Sequence, residues 1–453
     1  MSTNASSKEP VKAGTRPSRY RWYVMVTIFV GYLVCMADRS NIGALLPFIQ
    51  DEFEISNTQS GLISSMFFLG YAVSQIPAGL IMGKTGTRKM VSWAIFAFSL
   101  ITFLMGFTVT AVMLLVLRLL LGLTEGPAPV GMTSTINNWF PAKEKGTATG
   151  FYIASTQLAP MIVPPIVAAI ALGWGWRSVF FVLAVPGFIM AIVWYLVVRN
   201  RPGDTNRVND AERSLIADRT VVATTQTEKP WMKKVDKLIR YREVPALDTN
   251  KKVLRSWNVW GDTLAYFFMN NVNYGMLTWI PLYLVTVRGY DFIQMGFVAA
   301  SPAAGGLLGA LIGGVVSDRV FHGRRKPTMI LTAFATAIMM VVVLAVPQNT
   351  FLIAGSLMLT GFCLNIGWPM FTAYAMNITT GDTYPFTISV INSGGNLGGF
   401  FAPLIVGMLL DLTGSNYNVA FGYFVVVLII ALFVIFTLTE AKPQKTEVES
   451  SKK

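Results

Sequence analysis

The sequence predicts an all-α integral membrane protein whose twelve transmembrane helices form two pseudo-symmetric six-helix halves. Three observations predict it. The 453 residues are 53% hydrophobic and only 13% charged, about half the charged fraction of a soluble domain, which is ~25%. Apolar runs recur along nearly the whole chain, each close to the roughly 20 residues that cross a hydrocarbon core of about 30 Å. A helix end rich in glycine and followed by basic residues also recurs at corresponding places in the two halves.

The runs lie near 22–46, 58–82, 90–108, 112–136, 147–172 and 178–198, then near 257–286, 292–316, 328–346, 351–377, 384–410 and 417–438. They divide the chain into an N-terminal tail (1–21), a first half (22–198), a linker (199–256), a second half (257–438) and a C-terminal tail (439–453). The linker is the longest polar stretch and reads as a solvated segment with an amphipathic helix near 229–242. The basic N-terminus runs into a long apolar stretch with no small-residue cleavage pattern, so no cleaved signal peptide is expected.

Loop charges orient the spans. The N-terminal segment carries Lys8, Lys12, Arg16, Arg19 and Arg21, and the next loop is acidic at Asp51, Glu52 and Glu54. Basic residues return at Lys84, Arg88 and Lys89, at Lys143 and Lys145, at Arg319, Arg324, Arg325 and Lys326, and at Lys442 and Lys445. The loop near Asp382 falls on the same side but has no cation. An excess of cations on that side places both termini in the cytoplasm, which requires an even number of spans. The net charge of +13 is therefore a topology signal. A nucleic-acid footprint would need a continuous basic stripe with interleaved aromatics. The short first external loop without a glycosylation sequon favours a bacterial inner membrane.

Cys35 and Cys363 each sit inside an apolar run, and His322 has no histidine or cysteine neighbour at ligand spacing. No disulfide framework, metal or cofactor is expected. No buried nucleophile with a base is visible, so the chain is not expected to be an enzyme.

The informative residues are the charges inside spans, each of which raises the free energy of insertion by roughly 2.5–3.5 kcal/mol without a partner, a cavity or water. Asp38 and Arg39 lie in span one, Arg118 and Glu125 in span four. Arg118 and Glu125 are seven residues apart, hence on one helix face with about 10.5 Å of rise between them. The Gly-Pro-Ala-Pro run after Glu125 breaks that helix locally. Adjacent Asp38 and Arg39 diverge by about 100° around theirs, so one faces a cavity while the other meets a neighbouring span. Asp262, near the start of span seven, reads as a helix-end charge. The bland alternative for the four central charges is a set of ion pairs holding spans together.

Arginine stays ionised and offers a planar fork matched to a carboxylate, and a carboxylate in a low-dielectric cavity can accept a proton near neutral pH. The second half supplies amides and aromatics: Asn270, Asn271, Asn273 and Tyr274, then Asn365 and Trp368, then Asn392 and Asn396. Such a wall facing a cation suits hydroxylated or aromatic anions, although each amide also suits an interhelical hydrogen bond. Gly305, Gly309 and Gly313 form a ridge in span eight, and Gly395 and Gly399 form one in span eleven, both marking close helix packing.

The internal repeat is legible in the loops. After span two the sequence reads Gly79-Leu-Ile-Met-Gly83-Lys84-Thr-Gly86-Thr-Arg88-Lys89. After span eight it reads Gly314-Val-Val-Ser-Asp318-Arg319, then Gly323-Arg324-Arg325-Lys326. Two such halves imply a solute site between them near the midplane.

With these loops the chain resembles the major facilitator superfamily over about residues 20–440. Gly314, Asp318 and Arg319 match its G-x-x-x-D-R-x-G-x-R loop, which makes Asp318 and Arg319 gating-loop residues. In the first half Gly83 stands where the family has aspartate, a departure in the relay that latches the inward-closed state. Tyr32 to Asn41 resembles the Y-x-x-R/D-R-x-x motif of the anion:cation symporter branch, and Arg118 to Pro129 its R-x-x-x-G-x-x-E-x-P motif. Asn138-Trp139-Phe140-Pro141 with Lys143-Glu144, and Leu277-Thr278-Trp279-Ile280-Pro281, are further matches. Members of that branch move organic anions such as galactonate, glucarate, hexuronates or aromatic acids, usually with protons. The resemblance implies that Arg39 contacts the substrate carboxylate and that Asp38 and Glu125 are protonating carboxylates. It adds Tyr71 and Asn392 as polar contacts. The glutamine of span five is found at Gln157, with Thr156 at the matching place.

The expected function is proton-coupled symport of a small organic anion by alternating access. The expected partners are that anion, protons and the bilayer, with no nucleic acid, and the expected state is a monomer. The competing reading is a drug or metabolite exporter of the same superfamily. Exporters carry a G-x-x-x-G-P-x-x-G-G pattern in span five, where this chain has Ala159-Pro160-Met161-Ile-Val-Pro164-Pro165.

Overall fold

The computed structural model describes residues 16–217, 231–380 and 383–442, apart from the side chains at 76, 80, 83, 84, 142 and 143. Lys8, Lys12, Asp382 and Lys445, and the side chains of Lys84 and Lys143, lie outside the described residues.

Twelve helical spans appear where the apolar runs predict them. Spans one to six are Tyr20–Phe53, Asn57–Thr85, Thr87–Met105, Ala111–Glu125 continued by Pro127–Trp139, Ala142–Trp174 and Trp176–Val197. Spans seven to twelve are Trp257–Thr286, Phe292–Ala299 continued by Ser301–Val315, Lys326–Ala345, Thr350–Ile366 continued by Trp368–Ile378, Tyr384–Leu412 and Tyr417–Thr437. Among the described residues, 11 helices are long and apolar enough to cross a membrane. Span seven has the length but is diluted by Asp262, Asn270, Asn271 and Asn273. Short connections begin the next helix with side-chain caps. Ser56 and Gln59 form a capping box at span two, and Thr110, Asp291 and Asn349 accept main-chain N–H bonds at spans four, eight and ten.

The packing repeats between the halves. Spans two with four, three with six, one with five and one with six pack in the first half, and eight with ten, nine with twelve, seven with eleven and seven with twelve repeat this in the second. The halves meet along spans two and eleven, five and eight, and one and seven. Spans three, six, nine and twelve turn exposed large apolar side chains outward, among them Trp93, Phe103, Ile189, Phe334 and Phe433. Only lipid can cover such a belt without penalty.

Glycines set the closest approaches. The ridge Gly305, Gly309 and Gly313 lies against the main-chain carbonyls of Met358, Phe362 and Ile366, so span eight touches span ten backbone to backbone. On the face opposite the termini, Gly61 meets Pro403, Gly407 meets Asn57 and Gly43 meets Leu277, while a Cβ on Gly296 would stand 2.9 Å from Pro165. All three seams between the halves are thus closed on that far face. Toward the termini face, Gly79, Gly146 and Gly150 have no atom of another element within 4 Å of a Cβ position.

The linker is docked rather than freely solvated. Its helix Asp210–Ala217 buries Glu212, which accepts from the Ser18 hydroxyl (2.5 Å), the Tyr20 and Arg21 amides (2.9 and 3.2 Å) and the Arg21 guanidinium (2.9 Å). Burial alone would raise the Glu212 carboxyl, but these bonds outweigh it and hold it below the usual carboxylate range. The expected amphipathic helix occupies Met232–Ile239. Its Asp236 pairs with Arg324 at 2.5 Å, and its terminal Ile239 carbonyl accepts from Lys326 Nζ at 3.1 Å. Glu440 of the tail then caps span nine by accepting from the amides of Arg325 and Lys326. Segments on either side of 218–230 are therefore anchored one to each half.

The glycine seam yields a paired test. Gly313→Ala drives a Cβ onto the Ile366 carbonyl, whereas Gly314→Ala enters open space. Gly313→Ala should destabilise the purified protein by about 1–3 kcal/mol, as overpacking does, while Gly314→Ala leaves the thermal midpoint unchanged. Equal midpoints for the two variants would mean that the seam is not closely packed.

Candidate functional site

Span one carries the site's charges to the middle of the bundle, where Asp38 and Arg39 diverge as their adjacency requires. Asp38 turns toward span three and accepts a hydrogen bond on Oδ2 from the Thr102 hydroxyl at 3.0 Å. Arg39 turns toward span four. Its Nε and Nη2 lie 2.8 and 2.6 Å from Glu125 Oε1, and both side chains are buried. Glu125 grips the fork through one oxygen, while its Oε2 accepts no hydrogen bond among the described residues.

Aromatic rings complete the shell. The Arg39 guanidinium carbon stands 4.2 Å over the Tyr71 ring and 5.2 Å from that of Phe67, and Nη1 reaches the Tyr274 hydroxyl at 3.5 Å. Arg118 also lies 5.2 Å from the Phe67 ring, and it donates Nη1 to the main-chain carbonyl of Asp38 at 3.2 Å. Two cations and two carboxylates thus share one small buried volume. Arg39 is therefore not an unneutralised cation waiting for an anion, since it already holds Glu125. Arg118, which shares a helix face with Glu125, turns instead to the backbone of span one.

Local sequence explains this approach. Gly122 lies against the Phe67 carbonyl and Gly126 against Ser74, so span four can approach span two without side chains between them. The helix breaks at Gly126 and restarts at Pro127, a residue suited to a helix start because it has no N–H to satisfy. That break directly follows Glu125.

The opposite wall is made of amides and rings. Gln157 Nε2 donates to Asn365 Oδ1 at 2.7 Å, a bond that joins the two halves. Asn365 also donates to Gly361 O at 3.0 Å. Trp368 stands edge-on to Tyr266 with centroids 5.3 Å apart, and Tyr274 packs on Phe68 at 4.2 Å. Half-buried Asn392 accepts the Asn396 side chain on its carbonyl at 2.8 Å.

The structure therefore gathers Arg39, Glu125, Tyr71, Asp38 and Arg118 into one cluster and joins Gln157 to Asn365. Trp368 packs within the second half, and among the described residues Asn392 makes no side-chain hydrogen bond to the cluster. Asp318 and Arg319 lie apart from it, in a π-helical turn, Val316–Val320, at the termini-face end of span eight. There Asp318 pairs with Arg325 at 2.6 Å within its own loop, and Gly323 takes the positive φ of 79° that the turn requires. Asp262, expected as a helix-end charge, is fully buried, and neither of its oxygens has a hydrogen-bond partner among the described residues.

Phe67, Thr102 and Tyr152 were not legible as site residues. Tyr152 stacks on Tyr32 at 4.4 Å and lies four residues before Thr156. Phe67 lies four before Tyr71. In both cases the i, i+4 spacing from a singled-out residue was the available signal.

The site is thus a buried arginine held by one carboxylate oxygen and backed by rings. Comparisons with known proteins place the chain among transporters. The chain is 27% identical over 412 residues to the probable galactarate/D-glucarate transporter GarP of Escherichia coli (strain K12), covering 86% of this chain and 88% of that protein. It is 28% identical over 448 residues to the D-galactonate transporter of Escherichia coli O6:H1 (strain CFT073), covering 96% and 99%. Its fold matches the crystal structure of a bacterial homologue of the human lysosomal transporter Spinster, in an inward-facing and occupied conformation. That match has a TM-score of 0.71 and 17% identity, covering 94% of this chain and 97% of the other. The family model of the Major Facilitator Superfamily matches residues 28–321 and 292–453. With twelve spans in two like halves and that model matched along most of its length, the chain belongs to that superfamily of membrane transporters.

Proposed function

We propose that this protein is a proton-coupled symporter of a small organic anion, of the sugar-acid class, working by alternating access. It sits in the inner membrane as a monomer with both termini in the cytoplasm, the side to which its basic loops assign them. The Arg39–Glu125 pair is the observation that carries the reading.

Glu125 and a solute carboxylate compete for one guanidinium fork. A proton on Glu125 ends its charge and frees the fork for the solute. Loss of that proton restores the internal pair and expels the solute. Anion and proton thereby bind together, and the buried cluster keeps its charge balance in both states, as a low-dielectric site demands. Asp38, held by Thr102 beside Arg118, is the second carboxylate in reach of this exchange. Gln157, Asn365 and Asn392 supply donors and acceptors for hydroxyl groups, while Tyr71 and Trp368 offer flat walls. The relatives named as galactarate, glucarate and galactonate transporters support a solute with a carboxylate and several hydroxyls.

Three measurements bear on this reading. Arg39→Lys keeps the charge but loses the fork, and should raise the KM for uptake roughly tenfold or more. Wild-type kinetics in that variant would put the anchor elsewhere. In proteoliposomes, accumulation of a labelled sugar acid should follow an imposed pH gradient and collapse with a protonophore, whereas dependence on sodium at fixed pH would overturn proton coupling. Glu125→Gln imitates the protonated carboxyl, so it should fold and perform counterflow exchange but fail to accumulate solute against a gradient. A purely structural ion pair predicts instead a loss of about 3–5 kcal/mol of stability from the unpaired Arg39, read as lost abundance and a lower thermal midpoint.

A further inference from the structure

Alternating access requires the far-face seams to part, and one of the three is held differently from the others. Spans five and eight meet there through Gly296 and Pro165, with Phe48 stacked on Phe292 at 4.3 Å between spans one and eight. These are apolar contacts. Spans two and eleven meet through a carboxylate. Asp411, in the last turn of span eleven, accepts four hydrogen bonds from the first two residues of span two. The Asn57 amide and side chain donate to Oδ1 at 3.1 and 2.9 Å, and the Thr58 amide and hydroxyl donate to Oδ2 at 2.8 and 2.5 Å.

The geometry does more than cap a helix. The N-terminal turn of span two presents free N–H groups and a positive dipole end, which favour an anion, but the anion comes from the opposite half of the molecule. Span two already has its own cap, because Ser56 and Gln59 form the capping box. Asn57 is in turn fixed from the first half by Gln50, whose Nε2 donates to Asn57 Oδ1 at 3.1 Å and to Ser60 Oγ at 2.9 Å. Just below, Gly407 and Gly61 let the two backbones touch, and Trp279 of span seven donates to Pro403 O at 3.2 Å. A cavity of about 240 Å³ lined by Gln50, Asn57, Leu282, Thr286 and Tyr417 adjoins this clasp.

We propose that Asp411 is the latch of the far-face gate, a positioning residue that stabilises the conformation with spans two and eleven closed. Opening the gate breaks all four bonds together, because both donors of each pair sit on one helix turn and the acceptor on another body. The latch is a distinct element of the transport cycle, remote from Arg39 and Glu125.

The test starts from a cysteine-free background, with Cys35 and Cys363 replaced by serine, carrying Thr278→Cys. Thr278 is buried against Gly43 in the seam between spans one and seven. In nanodiscs its modification by a maleimide reports the parting of that seam. Asp411→Asn should speed labelling about tenfold, the population change given by the net worth of one charge-assisted hydrogen bond, and Asp411→Glu should restore slow labelling in part. An unchanged rate in Asp411→Asn makes the carboxylate a solvated helix cap and ends the proposal. If Asp411→Asn does not fold, the double variant Asn57→Cys/Asp411→Cys decides. Oxidation should stop transport and a reductant should restore it, whereas a cross-linked protein that still transports overturns the latch. The inference rests on the alternating-access reading, but labelling needs no substrate, so an error in the anion class leaves its outcome unaffected.

Discussion

An arginine in the middle of a membrane-spanning bundle needs an anion against it, and Glu125 is the anion that Arg39 holds. Much of the surrounding structure serves to make that pair possible. Span four has to approach span two closely enough for Glu125 to reach across to span one, and Gly122 and Gly126 remove the side chains that would keep them apart. Phe67 and Tyr71 then pack on the guanidinium from span two, shielding it from water and strengthening its attraction to the carboxylate. Gly43 lets span one close on span seven, which brings Tyr274 of the second half within reach of the same arginine. The pair is therefore also a point of contact between the halves.

The same constraint explains how the remaining charges are distributed. Arg118 settles on the Asp38 main-chain carbonyl, while the Thr102 hydroxyl donates to the Asp38 carboxylate. With both carboxylates ionised, a cluster of two cations and two anions would be neutral as a whole, and it would take one solute anion together with one added positive charge. Under the proposed symport, that balance is why a proton would accompany an anionic solute.

Away from the site, close packing and polar bonds both hold the bundle together. Glycines press backbone on backbone within a half, as Gly305, Gly309 and Gly313 do on span ten, and also between halves, as Gly61 and Gly407 do at spans two and eleven. Polar bonds that cross between the halves include Gln157 with Asn365 and Asp411 with span two. The linker ties down its two ends by buried charges, Glu212 on the first half and Asp236 with Arg324 on the second. Its docking keeps helix termini capped at the face where loops are longest and most basic.

The sequence by itself determined the spans, the break after Glu125 and the grouping into halves, because each rests on local chemistry. A run of apolar residues must be helical in lipid, a Gly-Pro step after Glu125 must interrupt a helix, and paired basic loops must share a side. It also singled out Asp38, Arg39, Arg118 and Glu125, since an ionisable residue inside an apolar run stands out without any knowledge of its neighbours. Which of them pair was decided only by the tertiary structure. Arg39 and Glu125 are 86 residues apart in the chain, whereas Arg118, a near neighbour on the same helix face, turns elsewhere. Asp262 looked like a helix-end charge and is buried, and the linker looked solvated and is docked. Thr102 and Phe67 became visible only as partners. Helical periodicity records which face of an element is apolar, but not the rotation and depth at which two elements meet. Close packing between residues far apart in the chain sets those quantities, and with them the choice of partner for every buried charge.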